Sequence, residues 1–425
     1  MRAISAATVF VAIAGYAIIF IAARALTPAD YETFMVFWGL FFALTGVLDG
    51  LMQESARAVT NARSSHVSAS PLPHTNRANP MRVTAGFAVL SFLLTLVSSP
   101  LWADTVSPGH EMWGVGLLAV GLLAYSFQAS ICGLLSAVMG WSTFAWLIAL
   151  DSGVRLLLAA VAWWMGWQLL AYLIMTVLGA ATWLLFVVFS GLTRSLLSEL
   201  ADVNPRAFAV RSLKAMGASG ANAIIISGFP VLLKFTTDTA VLPGALAATI
   251  TAVTLTRAPL LVPLQRFQPA LIVHFTKNRT RVLRASLLPM AAVVTTAFAG
   301  GGAAWVLGQP IMRIFFKEDY IVSAQSLALL TVASGSTALL MISGSAALAA
   351  DRHTLYLTGW VAATAAAIAL LTIDASPETR SVLGLGLGPL VGVVVQLVVL
   401  GLGARGVDKN SRVHGTGKTA PFRRR

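Results

Sequence analysis

Long apolar runs recur along this chain from its first residues to its last, and each is long enough to cross a membrane. A transmembrane helix needs about 20 apolar residues, because the hydrocarbon core of a bilayer is about 30 Å thick. Only 11% of the residues are charged and 57% are hydrophobic, whereas soluble domains carry about 25% charged residues. The sequence therefore predicts an all-α polytopic membrane protein, and its short polar connections leave no room for a soluble catalytic domain.

Runs bounded by proline, glycine or charged residues predict about twelve transmembrane helices. In chain order they are Ile4–Leu26, Phe34–Val59, Met81–Trp102, Met112–Met139, Phe144–Met165, Leu169–Leu192, Leu213–Leu233, Leu242–Phe275, Leu283–Leu307, Ile321–Ala350, Leu355–Ile373 and Ser381–Ala404. The first run is longer than the apolar region of a signal peptide, so we interpret it as a retained helix rather than a cleaved leader.

The positive charge of the chain is concentrated on one side of the predicted membrane. The formal net charge is +13, and most Lys and Arg residues lie in every second loop and in the C-terminal tail. These basic positions are Arg63, Arg77, Arg82, Arg194, Arg206, Arg211, Lys214, Lys277, Arg279, Arg281, Arg284, Arg405, Lys409, Arg412, Lys418 and Arg423 to Arg425. The opposite loops carry Asp30, Glu32, Asp104, Glu111, Asp238, Glu318, Asp319, Asp374 and Glu378. Because basic loops stay in the cytoplasm, we predict a cell-membrane protein with both termini inside, and no nucleic-acid partner.

The loop between the sixth and seventh predicted helices divides the chain into two halves of six helices. Residues 26–34 and 234–245 form comparable starts of the two halves. Such a duplication predicts two six-helix lobes, residues 1–195 and 196–404, around a central cavity. The basic tail, residues 405–425, is predicted to be disordered and to lie against anionic membrane lipids. The Ser-, Asn- and His-rich segment 58–80 reads as a flexible cytoplasmic loop.

The single cysteine limits the chemistry that the chain can perform. Cys132 lies inside an apolar run, so an internal disulfide, a CxxC redox pair and a thiolate metal cage are all excluded. We predict no metal and no cofactor.

Polar residues inside the predicted helices are candidates for function, because a charge at membrane depth is costly unless it faces a cavity or a partner. On the second predicted helix, Asp49, Gln53 and Arg57 are spaced by four residues and share one face. Glu54 lies three residues before Arg57 and can pair with it. We predict coupling or gating roles for Asp49, Gln53 and Glu54. An interfacial ion pair at the cytoplasmic end is the alternative for Glu54 and Arg57.

Three further arginines lie in or beside predicted helices. Arg155 follows Asp151 by one helical turn, which predicts either a neutralised structural pair or a cavity guanidinium that awaits an anion. Arg257 precedes Pro259 and Pro263, which would bend or break the eighth helix, and it is our first candidate for a substrate-binding cation. Arg24, near the outer end of the first helix, either snorkels to the interface or, with Lys234, forms a paired outer gate.

A guanidinium in a low-dielectric cavity suits a phosphate, because Arg donates bidentate hydrogen bonds and stays charged. Sugar rings would in addition need aromatic side chains to stack on. The chain has a cluster of five tryptophans, Trp141, Trp146, Trp163, Trp164 and Trp167. We interpret most of them as an interfacial belt.

Three short motifs suggest a family. Residues 23–34 read Ala-Arg-Ala-Leu-Thr-Pro-Ala-Asp-Tyr-Glu-Thr-Phe. This resembles the opening motif of Wzx-type polysaccharide flippases, a branch of the multidrug/oligosaccharidyl-lipid/polysaccharide exporter superfamily. Residues 53–57 and 255–259 resemble the ends of that family's second helix and its eighth-helix segment. The chain departs from the pattern at Thr27 and Glu32, where Gly is usual, and we expect both to loosen the turn.

The resemblance implies alternating access between two six-helix lobes around a cationic cavity. It also implies a polyprenyl-pyrophosphate-linked oligosaccharide as cargo, carried for assembly of cell-envelope polysaccharide. Arg257, Arg155 and Arg57 would match its pyrophosphate, and Arg24 is a further substrate-binding candidate.

The main alternative is a multidrug or small-molecule antiporter of the same superfamily. It would couple to a proton or a sodium ion through a deep carboxylate, for which Asp49 and Asp151 are candidates. A polyprenyl-dependent glycosyltransferase is less consistent, since the outer loops are too short for a catalytic domain. A channel would need a selectivity filter, and no filter motif is present. We therefore predict a transporter rather than an enzyme.

Overall fold

A computed structural model describes residues 2–64, 76–237, 244–278 and 281–414 of the chain. Over these residues it is helical and contains no strand. The helices are α1 (Arg2–Ala25), α2 (Pro28–Ser64), α3 (Pro80–Ser98), α4 (Ala103–Val106), α5 (Glu111–Ala137), α6 (Trp141–Trp164), α7 (Leu169–Leu178), α8 (Trp183–Phe189), α9 (Gly191–Leu196), α10 (Pro205–Ile226), α11 (Phe229–Phe235), α12 (Ala247–Lys277), α13 (Val282–Phe315), α14 (Ala324–Ala349), α15 (His353–Leu371) and α16 (Pro377–His414). Short 3-10 turns occupy Ser99–Leu101, Gly179–Ala181 and Glu318–Tyr320.

Eleven helical segments of the described chain are long and apolar enough to cross a membrane, and α10 with α11 makes a twelfth if that bent pair is one span. The pair bends by 67° at Ser227 and Gly228, just before Pro230, which has no backbone N–H to donate. The predicted all-α polytopic class is therefore confirmed, and each predicted helix overlaps an observed one. Residues 65–75 of the predicted flexible loop, and residues 415–425 of the predicted tail, lie outside the described residues.

The chain forms two compact units. Unit 1 contains Met1–Ala252 and Gln309–Val322, and unit 2 contains Val253–Gly308 and Ser323–Arg425. The predicted lobes, residues 1–195 and 196–404, group the helices by their order in the chain, and that grouping stays a prediction.

In unit 1, α2 lies at the centre and packs against both α5 and α10. Small residues allow these close approaches. A Cβ added at Gly50 of α2 would lie 2.2 Å from the backbone nitrogen of Met216 in α10, and one at Gly133 of α5 would lie 2.3 Å from the carbonyl oxygen of Met52. Helices in membranes associate through such van der Waals contact rather than through the hydrophobic effect. The packing surrounds α2 with protein over much of its length.

In unit 2, α16 packs against α14 and α15. A buried amide fastens the three helices: the Ser343 hydroxyl donates to Gln396 Oε1 at 2.5 Å, and Gln396 Nε2 donates to the Tyr356 carbonyl at 3.3 Å. Polar groups buried in lipid-embedded protein need such partners, because no water is present to replace them.

Candidate functional site

The polar residues of unit 1 lie at three levels along α2. The side of the membrane at which α1 ends and α2 begins, around residues 26–28, is termed the outer side, following the predicted orientation. The opposite side, where α2 ends at Ser64, is termed the inner side. The outer, middle and inner levels each hold different predicted site residues.

At the middle level, Asp151 and Arg155 form a buried ion pair on α6. Arg155 Nη2 lies 2.9 Å from Asp151 Oδ1, and the two residues are only 3% and 8% exposed. Arg155 Nε also donates to the carbonyl of Thr176 at 3.0 Å. That carbonyl lies near the end of α7, at Leu178, where helical carbonyls lose their usual partners. The guanidinium therefore binds both the carboxylate and a carbonyl at the end of α7.

Gly179, in the 3-10 turn that follows α7, makes room for the pair. A Cβ at Gly179, where the 3-10 turn begins, would lie 2.1 Å from Asp151 Oδ1 and 2.4 Å from Arg155 Nε. Only glycine leaves that space free. On its other side, the Arg155 guanidinium lies 5.6 and 5.1 Å from the ring centroids of Phe41 and Phe42 on α2. In this structure the charge of Arg155 is thus neutralised by Asp151, as in the first of the two interpretations of its sequence. Its contact with a substrate stays a prediction.

Two side chains of α5 hold the two predicted coupling carboxylates. The Tyr125 hydroxyl donates to Asp49 Oδ1 at 2.8 Å, and Gln128 Nε2 donates to Asp151 Oδ2 at 3.2 Å. Sequence reasoning missed Tyr125 and Gln128. The available signal was two hydrogen-bonding side chains three residues apart in an otherwise apolar run, which places both on one face of α5.

At the inner level, Arg57 is held by two acids. It makes a double contact with Glu54, at 2.8 and 2.6 Å, and its Nη1 lies 3.2 Å from Asp202 Oδ2. The Asp202 backbone N–H donates to the carbonyl of Ala58 at 3.2 Å, which fixes the 197–204 connection against α2. Glu54 and Arg57 therefore form the interfacial ion pair that was one of their two interpretations. Sequence reasoning missed Asp202.

Gln53 is separated from this network although it shares a face with Arg57 in the sequence pattern. It is exposed, and its Nε2 donates to the hydroxyl of Ser219 on α10 at 2.9 Å. The three residues of the predicted stripe therefore contact different elements. Asp49 contacts α5, Gln53 contacts α10, and Arg57 contacts the 197–204 connection.

At the outer level, the ends of α1 and α13 are joined by two cationic side chains, each of which binds carbonyls of the other end. Arg24, in the last turn of α1, donates to the carbonyls of Ile314 and Phe315 at 2.8 and 3.0 Å, where α13 ends. Lys317, just after α13, donates to the carbonyl of Leu26 at 3.0 Å, just after α1 ends. Cations stabilise the unpaired carbonyls at helix C-termini. In this structure Arg24 therefore fastens α13 to α1.

The first turn of α2 is fixed by the two residues that depart from the family motif. Glu32 is 3% exposed, and it accepts from Lys234 Nζ at 2.6 Å and from the Leu246 backbone N–H at 3.0 Å. The Thr27 hydroxyl pairs with Asp30 at 2.8 Å. The expectation that Thr27 and Glu32 loosen this turn is wrong, because each has a partner that tightens it.

In unit 2, Arg257 lies in α12 and is 5% exposed, which agrees with its predicted depth in a span. Pro259 and Pro263 follow it, yet α12 runs as one helix from Ala247 to Lys277. Of the two predicted effects of these prolines, the break does not occur, and the bend stays a prediction. No cluster of three or more His, Cys, Asp or Glu side chains that could hold a metal ion occurs among the described residues.

Sequence comparison places the chain in a family. No model of a protein family matches it. It is 38% identical to "Uncharacterized protein Rv3630" of Mycobacterium tuberculosis, over 93% of this chain and 91% of that protein. It is 39% identical to "Uncharacterized protein Rv1510" of the same organism, over 93% of this chain and 90% of that protein. The chain belongs to the Rv3630 family.

Solved structures identify the fold of this Rv3630-family chain. An inward-facing multidrug resistance MATE transporter of the MOP superfamily is similar with a TM-score of 0.69 and 15% identity, over 97% of this chain and 96% of that one. The eukaryotic MATE transporter AtDTX14 gives a TM-score of 0.64 at 16% identity, over 94% and 93% of the two chains. The chain is thus a multi-pass membrane protein with the MATE transporter fold of the MOP superfamily. The predicted fold is confirmed, whereas membership of the superfamily and of its polysaccharide-flippase branch stays a prediction.

Proposed function

We propose that this protein is a flippase that moves a polyprenyl-pyrophosphate-linked oligosaccharide across the cell membrane, for assembly of envelope polysaccharide. The observation that carries the proposal is the pair of buried guanidiniums within spans, Arg155 and Arg257, at 3% and 5% exposure. Charged side chains at membrane depth are costly and mark substrate or ion pathways. Arginine remains charged there and binds phosphate in a bidentate manner. Each of these residues, Arg155 in unit 1 and Arg257 in unit 2, is suited to a cargo that carries a pyrophosphate.

The two arginines have different roles in this proposal. Arg155 is already neutralised by Asp151 at 2.9 Å, so an anion must compete with that carboxylate before Arg155 can bind it. Arg257, the first candidate from the sequence, is proposed as a further ligand of the pyrophosphate. A MOP superfamily transporter from Pyrococcus furiosus, with a TM-score of 0.60 and 15% identity over 95% of both chains, is described as having a binding pocket of reverse polarity that suggests a different function. That description supports the view that this fold accommodates binding pockets of different charge.

In an alternating-access mechanism, we propose that the outer-level contacts form a gate. Release of cargo on the outer side requires the Glu32–Lys234 pair and the contacts of Arg24 with α13 to open. Arg24 donates to two helix-end carbonyls, so we propose it as a gate residue rather than a ligand of the cargo. The inner network of Glu54, Arg57 and Asp202 would rearrange when the inner side opens.

The decisive experiment replaces Arg257 in cells depleted of the native protein. Such cells should accumulate a polyprenyl-linked sugar inside, because synthesis of the carrier-linked glycan continues while its export stops. Arg257→Ala should fail to reverse the accumulation, and Arg257→Lys should reverse it only in part, since Lys lacks the bidentate geometry. Arg206→Ala is the matched control, because Arg206 is exposed in the first turn of α10. Export by the Arg257→Ala variant at the wild-type rate would contradict the proposal.

The second candidate is a cation-coupled multidrug antiporter. Asp49 favours it, because this carboxylate is only partly buried on α2 and the MATE structures that share the fold include multidrug resistance transporters. The same cells separate the two functions. Under this alternative, Arg257→Ala cells export glycan normally and lose drug resistance.

A further inference from the structure

Four side chains along one face of α2 are accessible. Trp38, Phe42 and Asp49 are partly exposed and Gln53 is exposed, whereas the neighbouring Phe37 is fully buried. Spacings of four, seven and four residues put the four accessible side chains within about 60° around the helix axis. We term them the α2 stripe. Its polar members place it toward a cavity or protein, because such groups do not face lipid.

The outer part of the α2 stripe belongs to a ladder of aromatic rings. The ring centroids of Phe34 and Trp38 are 5.5 Å apart, and those of Trp38 and Phe42 are 4.6 Å apart. The ladder therefore extends over two helical turns, about 12 Å. Tyr172 of α7 packs edge-on against Phe34 at 5.8 Å, and its buried hydroxyl has no hydrogen-bond partner among the described residues. Because Phe34 and Tyr172 are buried, the accessible part of the ladder is formed by Trp38 and Phe42.

The inner part of the α2 stripe is polar. Asp49 accepts from the Tyr125 hydroxyl at 2.8 Å, and Gln53 donates to the Ser219 hydroxyl at 2.9 Å. A carboxylate can accept about four hydrogen bonds and an amide both donates and accepts. These two groups can therefore bind further hydroxyls while keeping their present contacts.

A pyranose ring binds to aromatic and to hydrogen-bonding surfaces, and the α2 stripe has both, one after the other along the helix. Its C–H groups pack on the negative face of an aromatic ring, and its hydroxyls bind carboxylates and amides. Ligand sites commonly combine aromatic walls with a few placed polar groups in this way.

A lipophilic cation fits this surface less well than a neutral sugar. The Arg155 guanidinium already lies 5.1 Å from the Phe42 ring centroid, so this ring already has a cationic partner. The stripe's carboxylate, Asp49, is two turns further along, about 10 Å from Phe42 along the axis. A neutral sugar ring needs neither a free cation site at Phe42 nor a carboxylate beside that ring.

We infer that the α2 stripe binds the sugar rings of the cargo, and that Trp38 is the stacking residue that makes the transporter prefer a sugar-bearing lipid to the bare lipid. The inference rests on the proposed function, because it assigns a binding surface to the glycan part of that cargo. It separates two recognition elements, arginines for the pyrophosphate and α2 for the sugar.

The test measures binding of two lipids to the purified full chain. One is polyprenyl pyrophosphate, and the other is the same lipid bearing a single N-acetylhexosamine. The wild type should bind the sugar-bearing lipid more tightly. Trp38→Ala should lose that preference, about 2- to 10-fold for one stacked ring, and leave the dissociation constant of the sugar-free lipid unchanged. Trp38→Phe should keep part of the preference. Trp164→Ala, at a side chain that is 86% exposed, should keep all of it.

Distinct outcomes would overturn the inference and the proposed function. A sugar preference that survives in Trp38→Ala, or an equal loss for both lipids, overturns the stacking role alone. Loss of tetraphenylphosphonium binding in Trp38→Ala, with both lipids unaffected, assigns the α2 stripe to lipophilic cations instead. A wild type that binds neither lipid overturns the proposed function, and the stacking role with it. Because Trp38→Phe preserves an aromatic ring, it also distinguishes stacking from a folding defect of the Ala variant.

Discussion

At the scale of single residues, partners within one helical turn could be predicted and partners from other elements could not. The Asp151–Arg155 and Glu54–Arg57 pairs follow from spacings of four and three residues, which place both members on one helix face. The contact of Arg57 with Asp202 spans 145 positions in the chain, so no local pattern indicates it. The same holds for Tyr125 and Asp49. Sequence therefore identified charged candidates, but it could not tell which of them were already neutralised.

Gly179 provides a prediction at this scale. Ala at this position would place a Cβ 2.1 Å from Asp151 Oδ1, so the buried pair with Arg155 must shift or separate. Overpacking costs about 1–3 kcal/mol and disruption of a buried ion pair about 3–5 kcal/mol. We expect Gly179→Ala to lower the unfolding free energy by about 2–4 kcal/mol, measured by thermal unfolding in detergent. Gly217→Ala is the control, because a Cβ there meets no atom within 4 Å. Equal melting temperatures for the two variants would contradict this account of the pair.

At the scale of secondary-structure elements, the hydropathy pattern located every observed span of the described chain but not the contacts between helix ends. The observed α2 extends to Ser64, five residues beyond the predicted end at Val59. Its polar last turns are held by Asp202 and by a contact between Arg63 and Glu199, and hydropathy does not register such contacts. At the other end of α2, Glu32 was expected to loosen the turn. Its partners, Lys234 and the Leu246 N–H, come from elements about 200 residues away.

The outer-level pair of Glu32 and Lys234 gives the prediction at this scale. Glu32→Gln removes the charge that Lys234 contacts at 2.6 Å, so the start of α2 should separate more often from α11. The chain has one cysteine, Cys132, which is buried, and therefore Thr33→Cys would report only on this turn. We expect labelling of Thr33→Cys by a membrane-impermeant maleimide to become about 10-fold faster with Glu32→Gln, as for loss of about 1.4 kcal/mol.

Charge reversal supplies the control for the outer pair. Glu32→Lys combined with Lys234→Glu should return the labelling rate of Thr33→Cys toward that of the parent, since opposite charges again meet. Asp104→Asn, an exposed acid on the same side, should leave it unchanged. If the reversed pair labels as fast as Glu32→Gln, the contact does not hold this turn closed.

At the scale of the whole molecule, composition and charge predict the class of the protein, whereas the packing of its helices depends on individual side chains. A dozen apolar runs suffice to predict a polytopic helical fold, and the eleven to twelve observed spans agree. The predicted boundary after residue 195 follows loop length alone. In the structure α10 belongs to the same compact unit as α2, because Gly50 and its neighbours allow a close backbone contact with Met216. Side-chain volume at a few positions decides such packing, and hydropathy does not record it.

The orientation of the whole molecule gives the last prediction, and it bears directly on the direction of transport. The predicted inner loops carry the basic residues, and the rule that basic loops remain in the cytoplasm is a property of insertion rather than of the folded structure. Ser64 and Asp104 are both exposed and lie after successive spans. A membrane-impermeant maleimide should label Asp104→Cys in intact cells and Ser64→Cys only after lysis. The reverse pattern would place the Glu32–Lys234 pair on the cytoplasmic side. The contacts proposed as the outer gate would then control entry of the cargo rather than its release.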